Sequence, residues 1–121
     1  MKLRIKGNSL RYRLTKSDIA QLTVNGLVKE TVEFVNTVFT YVLQVATTQQ
    51  LSADFRDNVV TVYMPHNMLY RLAETEDVGF ENSNGKLHIL VEKDFVCLDN
   101  VVEDQSDNYP HPIGANGYAN C

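Results

Sequence analysis

Two cysteines and a histidine near the carboxyl end are residue types that can bind a metal or act in catalysis. The candidate zinc ligands are Cys97, His111 and Cys121, with Asp104 or Asp107. The three thiol and imidazole residues are separated by 13 and 9 residues, which is not a spacing typical of zinc sites. A nucleophilic cysteine would need a histidine and an orienting acid, and no pattern positions them. We therefore predict no metal site, no catalytic residues, no cofactor and no enzymatic activity.

Basic residues at the amino end form a second group. They alternate in two short runs, Lys2-Arg4-Lys6 and Arg11-Arg13. Because alternate residues of a strand share a face, each run would present its charges on one side of a sheet. Such a face can bind an anion, or it can be a solvated surface whose charges discourage association of sheet edges.

Charge is unevenly distributed along the chain. Residues 1–50 have a net charge of +4, residues 51–93 of -3 and residues 94–121 of -5, which gives -4 overall. Non-specific attraction to nucleic acid or to an anionic membrane is therefore not expected of the molecule as a whole. If an anion binds, its site should lie in the first fifty residues.

The composition is that of one folded domain. The chain has 121 residues, of which 44% are hydrophobic and 21% charged. Two cysteines are too few for a disulfide scaffold, and no apolar run has the length of a signal peptide or a membrane span. We expect a soluble cytoplasmic protein.

Hydrophobic periodicity predicts strand, strand, helix, strand, strand in the first half. Strands are expected at 1–5 and 10–14 around a Gly7-Asn8-Ser9 turn. Thr15 and Asp18 are spaced as a capping box for a helix of about two turns that ends at Asn25-Gly26. Residues 28–34 and 38–45 are rich in Val, Thr, Phe and Tyr and predict a hairpin.

The second half repeats this order. Strands are predicted at 51–55 and 60–64, a helix from Pro65, and a hairpin of 78–82 and 86–93 around Ser83-Asn84-Gly85. With an offset of 50 residues, positions 8–28 align with 58–78 without a gap. Because fifty residues are too few to bury a core alone, the two repeats are predicted to share one.

The order and turn residues of residues 1–93 resemble the swapped-hairpin AbrB family, which includes MazE-type antitoxins and transition-state regulators. The resemblance is carried by Lys6-Gly7-Asn8-Ser9 in the first repeat and by 57–65, Asp77-Val78 and 84–90 in the second. Thr15 stands where the family usually has proline, which Pro65 restores. The amino end and residues 91–98 are also similar to small bacterial proteins of unknown function.

The resemblance implies a mainly β fold with two short helices. Tandem ββαββ repeats, 1–50 and 51–93, would interlock as an AbrB-like swapped-hairpin β-barrel, an intramolecular pseudo-dimer followed by an acidic tail at 94–121. It also implies that the amino-terminal strands dock on double-stranded DNA, where cations suit phosphate contacts. The implied DNA-binding residues are Lys2, Arg4, Lys6, Asn8, Arg11 and Arg13. Their partners at the offset of 50 are mostly not basic, which predicts a one-sided basic face.

The acidic tail gives the alternative function. Antitoxins of the resembled family wrap an acidic extension onto a basic protein, and this tail carries acids and apolar anchors. The candidate partner-binding residues are Phe95, Leu98, Tyr109 and Ile113. The tail could equally pack on its own barrel. We expect a non-enzymatic DNA-binding, regulator-like module or, alternatively, a protein-binding module, with no membrane partner, that is a monomeric pseudo-dimer or a weak homo-oligomer.

Overall fold

The computed structural model describes residues 1–96 and 105–110. The first half consists of β1 (Lys2–Lys6), β2 (Ser9–Leu14), α1 (Lys16–Asn25), β3 (Leu27–Glu33) and β4 (Val38–Ala46). The second half consists of β5 (Ser52–Arg56), β6 (Val59–Pro65), α2 (His66–Glu74), β7 (Gly79–Asn84) and β8 (Leu87–Lys93). The predicted order of elements is confirmed in both halves. The last turn differs, since β7 continues through Asn84 and the chain turns at 85–86.

Local signals explain where the helices begin and end. The Thr15 hydroxyl accepts a hydrogen bond from the Asp18 amide, and the Asp18 carboxylate accepts one from the Thr15 amide at 2.9 Å. This capping box satisfies two amide donors at the start of α1. Gly26 ends the helix with φ of 79°, a conformation that costs glycine little. Helix α2 begins after Pro65 without a side-chain cap.

The strands form two four-stranded sheets, each with one hairpin from each half of the chain. Sheet A has the order β1-β2-β8-β7 and sheet B the order β3-β4-β6-β5. At the centre of sheet A, β2 and β8 are parallel, and β4 and β6 are parallel at the centre of sheet B. Each sheet therefore contains one hairpin from each half of the chain, and neither half contains a complete sheet.

The expected closed barrel is not observed, because no strand pair of the described residues joins sheet A to sheet B. Polar side chains bridge the edges of β5 and β7 instead. The Asn82 amide donates to the Leu51 carbonyl at 2.8 Å, and the Asn84 side-chain oxygen accepts from the Ala53 amide at 3.3 Å. These contacts are side-chain to backbone hydrogen bonds, not the backbone ladder of a strand pair.

The core lies between the sheets and is shared by both halves. Equivalent positions of the two repeats, such as Tyr12 with Val62 and Leu14 with Met64, are fully buried together. Other buried members are Leu22, Leu43, Leu51, Leu72, Ile89 and Val91. Each such side chain stabilises the fold by about 1.5–3 kcal/mol relative to an exposed one.

Parallel pairing places all four hairpin turns at one end of the molecule. We call this the hairpin end; its turns are at 7–8, 34–37, 57–58 and 85–86. Helices α1 and α2 follow β2 and β6 at the opposite, helix end. Among the described residues, neither helix has the length and apolar character needed to cross a membrane.

Candidate nucleic-acid interface

The β1–β2 hairpin brings five basic residues onto one face of sheet A. In the register of the hairpin, Lys2 is opposite Arg13 and Arg4 is opposite Arg11, while Lys6 is opposite Ser9. Residues directly opposite in an antiparallel pair project from the same side. The alternation seen in the sequence therefore produces a single basic face, in which the two runs lie next to each other.

Glu92 of β8 compensates the two arginines of β2. Its carboxylate accepts a hydrogen bond from Arg11 and lies 3.7 Å from Nε of Arg13. The Arg13 and Glu92 side chains are 7% and 6% exposed. Burial, and next the nearby Arg11 charge, lower the pKa of Arg13 below its ordinary value. Arg13 and Glu92 therefore form a buried ion pair in the sheet.

Lys2 forms an ion pair with Asp94, the first residue of the acidic tail. Its ammonium lies 3.1 Å from a carboxylate oxygen of Asp94, a residue that is 1% exposed. The backbone amide of Asp94 donates to the Leu14 carbonyl at 2.8 Å, which fixes this carboxylate beside β2. Part of the basic face is therefore neutralised by acids that belong to the same molecule.

Arg4 and Lys6 are the exposed cations of the face. No carboxylate of the described residues lies within 4 Å of either side chain. With Ser9 and Arg11 they line a shallow pocket of about 210 Å³. The Ser9 hydroxyl donates to the Lys6 carbonyl at 2.6 Å, which holds it at the turn. Two guanidinium groups and an ammonium around one concavity suit a phosphate-sized anion.

Asn8 connects two turns of the hairpin end. Gly7 has φ of 55°, and the following Asn8 side chain donates to the Lys86 carbonyl at 2.5 Å. The Asn8 carbonyl also accepts a hydrogen bond from the His88 amide at 3.0 Å. Asn8 therefore holds the β1–β2 turn against the β7–β8 turn and keeps Lys6 and Lys86 at the same edge.

The equivalent face of sheet B is not basic. Asp54 occupies the position that corresponds to Arg4, and it accepts a hydrogen bond from the Tyr63 hydroxyl at 3.2 Å. Arg56, which corresponds to Lys6, lies 3.8 Å from the same carboxylate. The basic face therefore has no counterpart on sheet B, as the sequence offset predicts.

The described part of the tail packs against the helix end. The rings of Phe95 and Tyr109 contact each other with centroids 6.0 Å apart, and the Tyr109 amide donates to the Asp94 carbonyl. The Lys16 amide donates to the Asp107 carbonyl at 3.2 Å. Phe95 is 5% exposed. The other two candidate partner-binding residues, Leu98 and Ile113, lie outside the described residues.

The candidate metal ligands are not brought together by the described structure. Cys97, Asp104, His111 and Cys121 lie outside the described residues, and within 1–96 and 105–110 no cluster of three potential ligands occurs. Asp107 instead interacts with the start of α1. Hydrogen bonds from the side chains of Ser17 and Thr15 lower the pKa of the Asp107 carboxyl.

With this geometry established, comparison with known proteins identifies a family. A family model described as "Family of unknown function (DUF7009)" matches residues 1–113. The chain belongs to DUF7009. No curated protein and no solved structure matches it. The match to DUF7009 includes both hairpins of sheet A and the tail segment that packs on α1.

The sequence analysis did not predict two features of this DUF7009 chain. The pairing of Glu92 with Arg11 and Arg13 depends on the parallel contact of β2 with β8, strands almost eighty residues apart in the chain. The net charge of each segment does not show which charged side chains lie next to each other in the fold. The second feature is an apolar groove at the hairpin end. Hydrophobic periodicity predicts that its lining residues belong to strands, but it does not predict that a groove opens between those strands.

Proposed function

We propose that this chain is a non-enzymatic, regulator-like DNA-binding module that contacts double-stranded DNA through the β1–β2 hairpin. The observation that carries the proposal is the exposed pair Arg4 and Lys6 beside Arg11, around a pocket lined by Ser9. The groups that bind are cations, so the contacts are to backbone phosphates. The proposed location is the cytoplasm.

The contact is one-sided. Arg4 and Lys6 can reach a phosphate without breaking an ion pair of the described residues, whereas Arg13 is buried with Glu92. Asp54 on sheet B would repel the same backbone. A single hairpin therefore binds, and the affinity is lower than that of a dimer that holds both halves of a palindrome.

The exchange of hairpins between the two halves supports the AbrB-like part of the proposal. Each sheet combines one hairpin from residues 1–46 with one from residues 52–93. A swapped-hairpin dimer that had been joined into one chain would have this strand order. The proposed relationship to AbrB-like proteins rests on this topology and on the motif order, not on a closed barrel.

The test compares two double variants that remove the same charge from different sheets. Fluorescence anisotropy of labelled genomic duplexes measures affinity at about 50 and 200 mM salt, the range over which phosphate contacts are resolved. Arg4→Ala with Lys6→Ala removes the exposed cations of sheet A. Lys29→Ala with Arg56→Ala removes two exposed cations of sheet B and is the control.

The expected result is salt-sensitive binding by the wild type and the control. The Arg4/Lys6 variant should bind more weakly, and its slope of log K against log salt should be smaller by about 1.8, or about 0.9 for each lost phosphate contact. No binding by the wild type would refute the proposal. Equal weakening by both variants would show that binding is not localised to this hairpin.

The alternative, a protein-binding module that acts through the tail, has less support. Phe95 and Tyr109 are already packed against each other and against the helix end. A partner would have to displace these contacts before it could use either ring.

A further inference from the structure

An apolar groove opens between the two sheets at the hairpin end. It has a volume of about 370 Å³, and six of its eight lining residues form three pairs of equivalent residues, one from each half of the chain; the other two are Ala53 and Asp54. The pairs are Ile5 with Phe55, Leu10 with Val60, and Phe39 with Leu87. The groove therefore lies on the pseudo-two-fold axis that relates the halves.

The surface around the groove is unusually apolar. Ile5 and Phe55 at its mouth are 60% and 63% exposed. On the neighbouring β3–β4 hairpin, Val32, Phe34, Val35 and Val38 are exposed as well. The equivalent β7–β8 hairpin is polar there, with Asn82, Ser83 and Asn84. Clustered exposed apolar side chains of this kind mark an interaction surface.

The charges at the rim differ between the sheets. On sheet A the rim carries the exposed cations Lys6 and Lys86, and on sheet B it carries the exposed acids Glu33 and Asp57 together with Arg56, whose charge is offset by Asp54 at 3.8 Å. Edge β1 lies beside edge β3, since the Met1 ammonium donates to the Glu30 carboxylate of β3 at 2.9 Å, and β5 lies beside β7. The basic and acidic rims therefore face each other across the groove.

We propose that a second copy of this chain docks on this surface, hairpin end to hairpin end. A two-fold axis perpendicular to the pseudo-axis places sheet A of one copy over sheet B of the other. Lys6 then faces Glu33 of the second copy, and Lys86 faces Asp57, while the two apolar mouths cover each other. The charge complementarity identifies a second copy as the occupant, because one chain carries both signs. This inference shares Lys6 with the proposed DNA contact, but Phe55→Asp tests it without changing that contact.

Sedimentation velocity of the full chain, from about 1 to 500 µM, measures the association. The wild type should form a dimer as concentration rises. Phe55→Asp places a charge in the mouth and should weaken dimerisation about tenfold or more. Tyr70→Asp is the matched control, since Tyr70 is 64% exposed but lies on α2 at the helix end, and it should dimerise as the wild type does. Circular dichroism verifies that each variant is folded, and Ile5→Asp, which alters the same groove, replaces Phe55→Asp if that variant does not fold.

A charge exchange tests the orientation. Lys6→Glu and Glu33→Lys should each weaken the dimer, and the two together should restore it. A wild type that stays monomeric throughout overturns the proposal and leaves the groove to a different protein or an apolar small molecule. A dimer that survives both Phe55→Asp and Ile5→Asp also overturns it, because the contact must then lie elsewhere.

Discussion

Arg13 and Glu92 are register partners across the parallel β2–β8 pair, with Nε of the arginine 3.7 Å from the carboxylate. Because Arg11 also binds Glu92, one buried acid compensates two guanidinium groups. This relationship joins the first half of the chain to the second at the centre of sheet A.

Replacement of Glu92 by glutamine should therefore be strongly destabilising. Two guanidinium groups would remain near a position that no longer carries a negative charge, and the expected loss in the free energy of unfolding is about 3 kcal/mol. Urea denaturation followed by circular dichroism measures it. Glu81→Gln is the control, since Glu81 lies on the adjacent β7 but its side chain is 67% exposed. A similar loss in both variants would mean that burial of the pair is not the cause.

The capping box of α1 should contribute measurably to stability. Thr15→Ala removes the hydroxyl that accepts from the Asp18 amide, and a loss of about 1 kcal/mol is expected in thermal or urea unfolding. Gln21→Ala, at an exposed position of the same helix, should change stability by less than about 0.5 kcal/mol. An effect of Thr15→Ala no larger than that of the control would argue against the cap.

Gly79 should not tolerate a side chain. A Cβ atom there would lie 2.5 Å from the Val91 carbonyl oxygen and 2.7 Å from the Glu92 Cβ. Gly79→Ala must displace β7 from β8, and a loss of about 1–3 kcal/mol is expected, as for other overpacked sites. Ser83→Ala, at an exposed position on the same strand, should be close to neutral in the same denaturation experiment. An equally stable Gly79→Ala variant would contradict this packing.

The docking of residues 105–110 should weaken in acid. The pKa of the Asp107 carboxyl is below its ordinary value of 3.8, chiefly because the Ser17 and Thr15 side chains donate hydrogen bonds to it. A carboxyl whose pKa is depressed in the folded state stabilises that state above the unfolded pKa, and the contribution is lost as the pH falls through the folded pKa. The carboxyl resonance of Asp107 should titrate below pH 3.8, and the ring resonances of Tyr109 should shift with it. A midpoint at or above that value would contradict the proposed docking, and Asp107→Asn should abolish the pH dependence.

Much of the fold could be predicted because its signals are local. The alternation of Leu10, Tyr12 and Leu14, the Thr15–Asp18 spacing and Gly26 each specify their own element without reference to the rest of the chain. The offset of 50 residues then predicts a shared core, and the burial of Tyr12 with Val62 confirms it. Each of these predictions uses either residues that are close together in the sequence or the repeated order of the elements.

The features that could not be predicted depend on contacts between distant segments. Alternation shows that Arg11 and Arg13 share a face, but it does not show which strand lies next to them or that Glu92 occupies it. Likewise, the asparagines of β7 form an ordinary polar strand in the sequence, yet Asn82 bridges to Leu51 where a barrel would have a strand pair. Both the pairing of the arginines with Glu92 and the bridge from Asn82 to Leu51 depend on contacts between residues that are distant in the sequence.

The two halves of the chain have the same order of elements but different side chains, which has an evolutionary consequence. In an assembly of identical subunits every substitution appears twice, so a cation gained on one outer face is gained on the other. Here Arg4 and its equivalent Asp54 are encoded separately, and each outer face can change without altering the other. In the shared interior, where Leu14 and Met64 are both fully buried, a change of volume on one side must be accommodated by the other. The two outer faces of the chain are thus able to take on different tasks.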